Sequence, residues 1–316
     1  MEYRHTPVMI GEIIDYLNPR PGQNFIDCTL GGGGYAASII ERILPEGKVL
    51  AIDLDELSIS NAQEKFKIEI KNKNIILAHG NFKNLQKIVE EYFTKDSKFD
   101  GIVFDLGLSS AQLKDFNRGF SFNLPDSPLS MNFSAVGELT AEEIINNWGE
   151  ADLVRIFKEY GEEKFAKSIV KKIIGQRKFG QIKTVKELNE IIESAVPRRM
   201  RQAKIHPATK IFQALRIAVN SELENLREVL PQAVNLLKTG GRLAVISYHS
   251  LEDRIVKQYF KQETKDCLCP PSSPICSCGH KAGLKLLTKG ILRPTEEEVL
   301  KNPRSRSAKL RVVQKI

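Results

Sequence analysis

The first third of the chain alternates short apolar runs with segments of helical periodicity. Asn24–Asp27, Lys48–Asp53, 74–79 and Phe99–Asp105 are near-continuous apolar stretches of strand length. Between them, 35–44 and the segment running through Phe66 repeat their apolar residues at helical spacing. Continuous apolar strands alternating with helices predict a parallel sheet covered on both faces. The pattern then changes. Residues 113–126 are rich in Gly, Asn, Ser and Pro and read as a loop, and 138–205 carry no strand pattern. Two capping boxes, Thr140-Ala-Glu-Glu143 and Thr184-Val-Lys-Glu187, mark helix starts there. The sheet resumes after a single helix expected over 211–237, with Gly240-Gly241 as its C-terminal cap. A fifth parallel strand follows over 242–247, then a helix over 251–260. The segments 284–292 and 309–313 are expected to pair antiparallel at the sheet edge. The organisation predicted is a Rossmann-like α/β domain, 1–114 and 210–316, carrying a mainly helical insertion domain for substrate binding, 115–209.

Four consecutive glycines, Gly31 to Gly34, follow the first strand. A phosphate-binding P-loop needs Lys-Ser or Lys-Thr after its last glycine, and Tyr35-Ala36 stands there instead. Gly31, Gly33 and Ala36 fit the dinucleotide pattern G-x-G-x-x-A, with Asp53 about 20 residues on, where that pattern places its ribose-binding acid. The charge argues against a pyrophosphate. Asp27 sits at the mouth of the turn and would repel it. Asp27, Asp53 and Asp105 each end a strand, and in an open α/β sheet ligands bind outside those carboxyl ends. A helix N-cap would explain one such Asp. Three at successive strand ends suit a ligand with positive charge and hydroxyls, such as the sulfonium, amino group and ribose of S-adenosylmethionine.

The net charge of +8, with the basic residues gathered at 197–204 and 304–311, makes nucleic acid the leading partner class. No run of 18 or more apolar residues predicts a membrane span, and 1–7 lack the apolar core of a signal peptide. A cytoplasmic location is expected. Reduced thiols then make Cys267, Cys269, Cys276 and Cys278 either a metal site, with Zn2+ the candidate ion, or a flexible loop.

The sequence resembles the bacterial small-subunit rRNA cytosine-N4 methyltransferases of the MraW type. The resemblance runs through His5-Thr-Pro-Val8, Asp27-Cys-Thr-Leu-Gly-Gly-Gly-Gly34, Ala51-Ile-Asp-Leu-Asp55, Asn81-Phe-Lys-Asn-Leu85 and Asp105-Leu-Gly-Leu-Ser-Ser110. It continues with Arg118-Gly-Phe-Ser-Phe122, His206-Pro-Ala-Thr209, Phe212 to Asn220, Ser247 to Lys257 and Asn302 to Arg311. It implies a class I S-adenosylmethionine-dependent methyltransferase fold and methylation of N4 of a decoding-centre cytidine in 16S rRNA. Carried over by position, it implies cofactor contacts at Gly33, Gly34, Tyr35, Asp53, Phe82, Asp105 and Gln112. The partners implied are 16S rRNA and the small ribosomal subunit, with no membrane; a homodimer is compatible with the sequence. The chain departs from its relatives at Tyr35, where they usually carry His, and at Ser130 and Asn132, where they carry Asp and Arg.

An exocyclic N4 is a poor nucleophile, so an acceptor near its hydrogens would assist transfer and take a proton. Asp105 and His249 are the candidates for that catalytic neighbourhood, although Asp105 could serve the cofactor and His249 could fix the loop after its strand. Arg216, Asn220 and Glu222 either form an internal polar network or touch RNA. Two other readings remain open at this point: a non-catalytic ribosome-assembly factor with a retained cofactor pocket, and a nicotinamide-dependent oxidoreductase.

Overall fold

The computed structural model describes residues 7–134, 139–197, 206–270, 273 and 275–316. Among them a seven-stranded sheet has the order β3-β2-β1-β4-β5-β7-β6. The strands are β1 Asn24–Asp27, β2 Lys48–Asp53, β3 Ile75–His79, β4 Phe99–Asp105, β5 Leu237–Ser247, β6 Leu284–Leu286 and β7 Lys309–Lys315. The first five run parallel, and β7 lies antiparallel to both β5 and β6. This is a Rossmann-like sheet with helices on both faces. The strand order reverses between β1 and β4, which opens a crevice at their carboxyl ends.

Successive side chains along a strand point to opposite faces, and the sequence supplies apolar residues to both faces before the aspartates at the strand ends. Phe25, Val49, Ala51 and Val103 pack on one face with Ile13, Leu17, Ala36, Ile39 and Ile43 from helices Ile10–Leu17 and Gly34–Ile43. Ile26, Leu50, Ile52 and Phe104 pack on the other with Leu226, Val229 and Leu230 of helix Glu222–Leu236 and with Val256 and Phe260 of helix Ser250–Glu263. Each fully buried side chain of this size contributes about 1.5–3 kcal/mol of transfer free energy.

Chain contacts divide the protein into two compact units, 1–107 with 223–316, and 108–222. The second is helical, with helices Ala141–Asn147, Glu150–Glu159, Ala166–Arg177, Val185–Ala195 and Pro207–Asn220. Its own core gathers Ile144, Leu153, Phe157, Ile169, Ile173, Leu188, Ile192 and Leu215. Thr140 and Thr184 cap their helices as the sequence predicts, and Thr184 forms the full reciprocal box with Glu187. The guanidinium of Arg177 donates to the carbonyls of Ile145 (2.6 Å) and Trp148 (2.8 Å), satisfying oxygens that the helix Ala141–Asn147 leaves open at its end.

Three expectations differ from the structure. The single helix over 211–237 is two helices, broken at Ser221, which takes a left-handed conformation (φ 51°). Gly240 and Gly241 do not cap a helix. The second helix ends at Leu236 and β5 starts at once, so both glycines lie inside the strand where its register against β4 shifts between Phe99 and Gly101. Gly240 takes φ 83°, a conformation that suits glycine at such an irregularity. The edge pairing is also shorter than 284–292: β6 is three residues long, and Leu292 forms one isolated bridge to Leu310. Among the described residues no helix is long and apolar enough to cross a membrane.

Candidate active site

The glycine turn brings β1 to the helix Gly34–Ile43. Gly33, at φ 66°, is the residue before the helix, and a Cβ there would lie 2.7 Å from the Phe66 ring. A Cβ on Gly34 would lie 2.0 Å from Cγ of Pro7. The glycines therefore admit two neighbours tightly on one side. No side chain caps the helix start, so the Gly34 and Tyr35 amides have no capping partner on the other, while the Ala36 amide acts on Asp27. The Lys65 ammonium donates to the carbonyls of Gly32 (2.8 Å) and Gly33 (3.1 Å), holding the turn from below.

Three carboxylates surround this turn. Asp27 is fully buried; its Oδ1 accepts from the Thr29 amide (3.1 Å), and its Oδ2 has no hydrogen-bond partner. Burial pushes its pKa up to about 7; Asp105 and Asp53 add to the rise, and the Thr29 and Ala36 amides oppose it. Asp53 is half-buried and accepts from the amides of Gly31 (2.7 Å) and Asp55 (2.8 Å). Burial raises it to about 6, and those two amides oppose the rise. Asp105, also half-buried, accepts from the Tyr248 hydroxyl at 2.7 Å. Burial raises it to about 7 against the pull of the Tyr248 and Tyr35 hydroxyls. The Asp105 amide donates to Thr29 Oγ1 (2.7 Å), which ties the ends of β1 and β4 together across the crevice.

Other sequence-predicted residues fall into place around this edge or away from it. Phe82 follows β3, partly exposed, with its ring edge-on to Phe104 at 5.6 Å. Tyr35 turns its side chain inward and donates to the Val8 carbonyl (2.5 Å), so only its backbone is free to meet a ligand. His249 caps the helix Ser250–Glu263: its Nδ1 accepts from the Glu252 amide (3.4 Å), while Nε2 lies 3.2 Å from Glu252 Oε1. Gln112 belongs to the helical unit and forms a capping box with Ser109. Cys267, Cys269, Cys276 and Cys278 sit in the loop beyond the helix Ser250–Glu263.

Sequence reasoning missed Tyr248, Thr29 and Lys65. Tyr248 stood inside a quoted run, but nothing local pairs it with a carboxylate 143 residues away. Part of the basic island at 304–311 is used internally: Arg311 is buried and forms two hydrogen bonds with Asp253 (2.7 and 3.3 Å). From residue 198 on, the island at 197–204 lies outside the described residues. Arg216 pairs with Glu222 through two hydrogen bonds (2.8 and 2.9 Å), and Asn220 donates to the Met131 carbonyl. These three form an internal network. Asn132 accepts from the Ser134 amide and donates to the Leu139 carbonyl, fixing its own loop.

A buried carboxylate with an unpartnered oxygen, beside a glycine turn whose helix start is open, is arranged for a cationic ligand with hydroxyls. Comparison with known proteins agrees: the profile of the MraW methylase family matches residues 2–316. The chain belongs to that family. A relative from Dehalococcoides mccartyi named ribosomal RNA small subunit methyltransferase H is 48% identical over 100% of this chain and 87% of its own. Proteins of the same name from Caldicellulosiruptor saccharolyticus and Heliobacterium mobile are 46% and 44% identical. They cover 99% and 100% of this chain and the whole of their own.

Proposed function

We propose that the chain transfers a methyl group from S-adenosylmethionine to N4 of a decoding-centre cytidine in small-subunit rRNA. The observation that carries the reading is Asp27 Oδ2, a fully buried carboxylate oxygen without a partner at the strand-order reversal. Family membership and the names of the relatives support the methyl transfer and the rRNA substrate. The residues present fit the cofactor. Asp53, held rigid by two amides, keeps lone pairs for ribose hydroxyls. Asp27 supplies charge opposite a cationic group, and the uncapped amides at the start of helix Gly34–Ile43 donate to a carboxylate. Phe82 offers an apolar surface beside β3 for a flat ring. When bound, the cofactor supplies an electrophilic methyl on a sulfonium sulfur.

The chain's work on the acceptor is positional and acid–base. Asp105, raised to about 7, sits in the range where a carboxylate both accepts and releases a proton at neutral pH. Tyr248 orients it by donating to Oδ1, which leaves Oδ2 to take a proton from the N4 group. His249 acts as a helix cap and positions the turn after β5. The cytidine must present its N4 edge unpaired, so the substrate is looped-out, flipped or single-stranded.

Asp105→Ala and His249→Ala proteins test the division of roles, with cofactor affinity and methyl transfer to small-subunit rRNA measured separately. Asp105→Ala is expected to lose at least about 100-fold in transfer, the usual size of a proton-transfer contribution. Its cofactor affinity should change far less. Equal losses in both would assign Asp105 to cofactor binding alone, and wild-type transfer would remove it from the chemistry.

A further inference from the structure

The segment 264–283 joins helix Ser250–Glu263 to β6. Its described residues form no helix or strand and bury no side chain; Ile275 is 80% exposed and Leu268 39%. Two hydrogen bonds close its base, from the Gly283 amide to the Glu263 carbonyl (2.9 Å) and from the Ala282 amide to Asp266 Oδ1 (3.4 Å). Apolar burial therefore does not offset the entropy of ordering these residues. What they have in common is sulfur. The Sγ atoms of Cys267, Cys269, Cys276 and Cys278 all lie within 4.8 Å of one another. Cys267–Cys276 is 3.4 Å, Cys276–Cys278 3.7 Å and Cys267–Cys278 3.8 Å.

These contacts are too long for disulfides, which need ~2.05 Å, and all four cysteines are free. A tetrahedron of thiolates around an ion with ~2.3 Å metal–sulfur bonds has edges of about 3.8 Å. The three separations among Cys267, Cys276 and Cys278, 3.4 to 3.8 Å, lie near that figure, and Cys269 Sγ is within 4.8 Å of each. Backbone amides also aim at the sulfurs: Leu268 at Cys278 (3.3 Å), Cys269 at Cys267 (3.4 Å) and Ser277 at Cys269 (3.4 Å). Amide donors stabilise sulfur as thiolate, the form that ligates metal. The two Cys-x-Cys turns face each other, each supplying two ligands, so the short spacing within a turn is no obstacle to the set.

We propose that these four cysteines bind one structural Zn2+ that organises the loop 264–283. Four sulfur ligands fill a tetrahedral site and leave no position for substrate. The helix Ser250–Glu263 starts at the carboxyl end of β5 and is 14 residues long, which carries the loop about 21 Å along the helix axis from that edge. The ion therefore shapes the loop and takes no part in methyl transfer.

The full chain, purified with a reductant and without chelator, tests this by elemental analysis and by exchange with Co2+. One zinc per chain and the intense absorption of a tetrahedral cobalt tetrathiolate are expected. The Cys276→Ser/Cys278→Ser protein should lose both while keeping wild-type cofactor affinity. Less than about a tenth of an equivalent of zinc after incubation with Zn2+ and desalting would overturn the proposal, given the tight binding of structural sites. So would iron in place of zinc, or an unchanged zinc content in the double variant. Should that variant fail to fold, the zinc content and cobalt spectrum of the wild type decide alone.

Discussion

Asp27 gives the sharpest physical test, because its buried charge should make the ligand-free protein less stable as pH rises. The folded protein holds the Asp27 proton up to about pH 7, whereas the unfolded chain releases it near the ordinary value of 3.8. Between those values the folded state binds more protons, so stability falls with rising pH. At about 1.36 kcal/mol per pH unit, full ionisation costs the fold about 4 kcal/mol, more than half of it between pH 5 and 8. Asp27→Asn keeps the shape and removes the titration. Urea unfolding of both proteins at several pH values, without cofactor, isolates the contribution as the difference between two profiles. Trp148, the only tryptophan, lies in the helical unit, so far-UV circular dichroism must accompany fluorescence to follow the sheet unit. The variant should gain on the wild type by about 2–3 kcal/mol from pH 5 to pH 8 and bind S-adenosylmethionine more weakly at pH 8. A stability difference that stays constant across that range would refute the reasoning.

Gly34→Ala places a Cβ 2.0 Å from Pro7 Cγ and should cost about 1–3 kcal/mol by overpacking, with weaker cofactor binding read by calorimetry. Tyr248→Phe removes the donor that opposes the rise of Asp105, so the acid limb of the kcat/KM profile should move to higher pH. An unmoved limb would detach Asp105 from the observed titration. Arg311→Ala removes both hydrogen bonds to the buried Asp253 carboxylate and leaves only Lys309, 3.8 Å away, so it should destabilise by about 1–3 kcal/mol in denaturant. Its rRNA affinity should stay at the wild-type value wherever the protein is folded.

The sheet was legible because β1, β2 and β4 are buried on both faces and so read as unbroken apolar runs. The three strand-end aspartates followed directly from those strands. The break at Ser221 was not legible, because the apolar pattern continues on both sides of it and Asn220-Ser221 is only a weak local signal. Gly240-Gly241 has the same look as a helix cap or as a strand irregularity, and tertiary pairing with β4 decides between them. Arg311 read as surface charge because its partner Asp253 is distant in sequence. A role for His249 in fixing the loop after its strand was legible, but the way it does so, an imidazole nitrogen accepting from the Glu252 amide, is not a cap the sequence signals.

The central claim is the identity of the atom methylated. The protein should be incubated with isotopically labelled S-adenosylmethionine and small-subunit rRNA or particles, and the RNA digested to nucleosides for mass spectrometry. The account predicts label in N4-methylcytidine. Label only on a ring carbon of cytidine or on another base, or cofactor binding with no label in RNA, would contradict it.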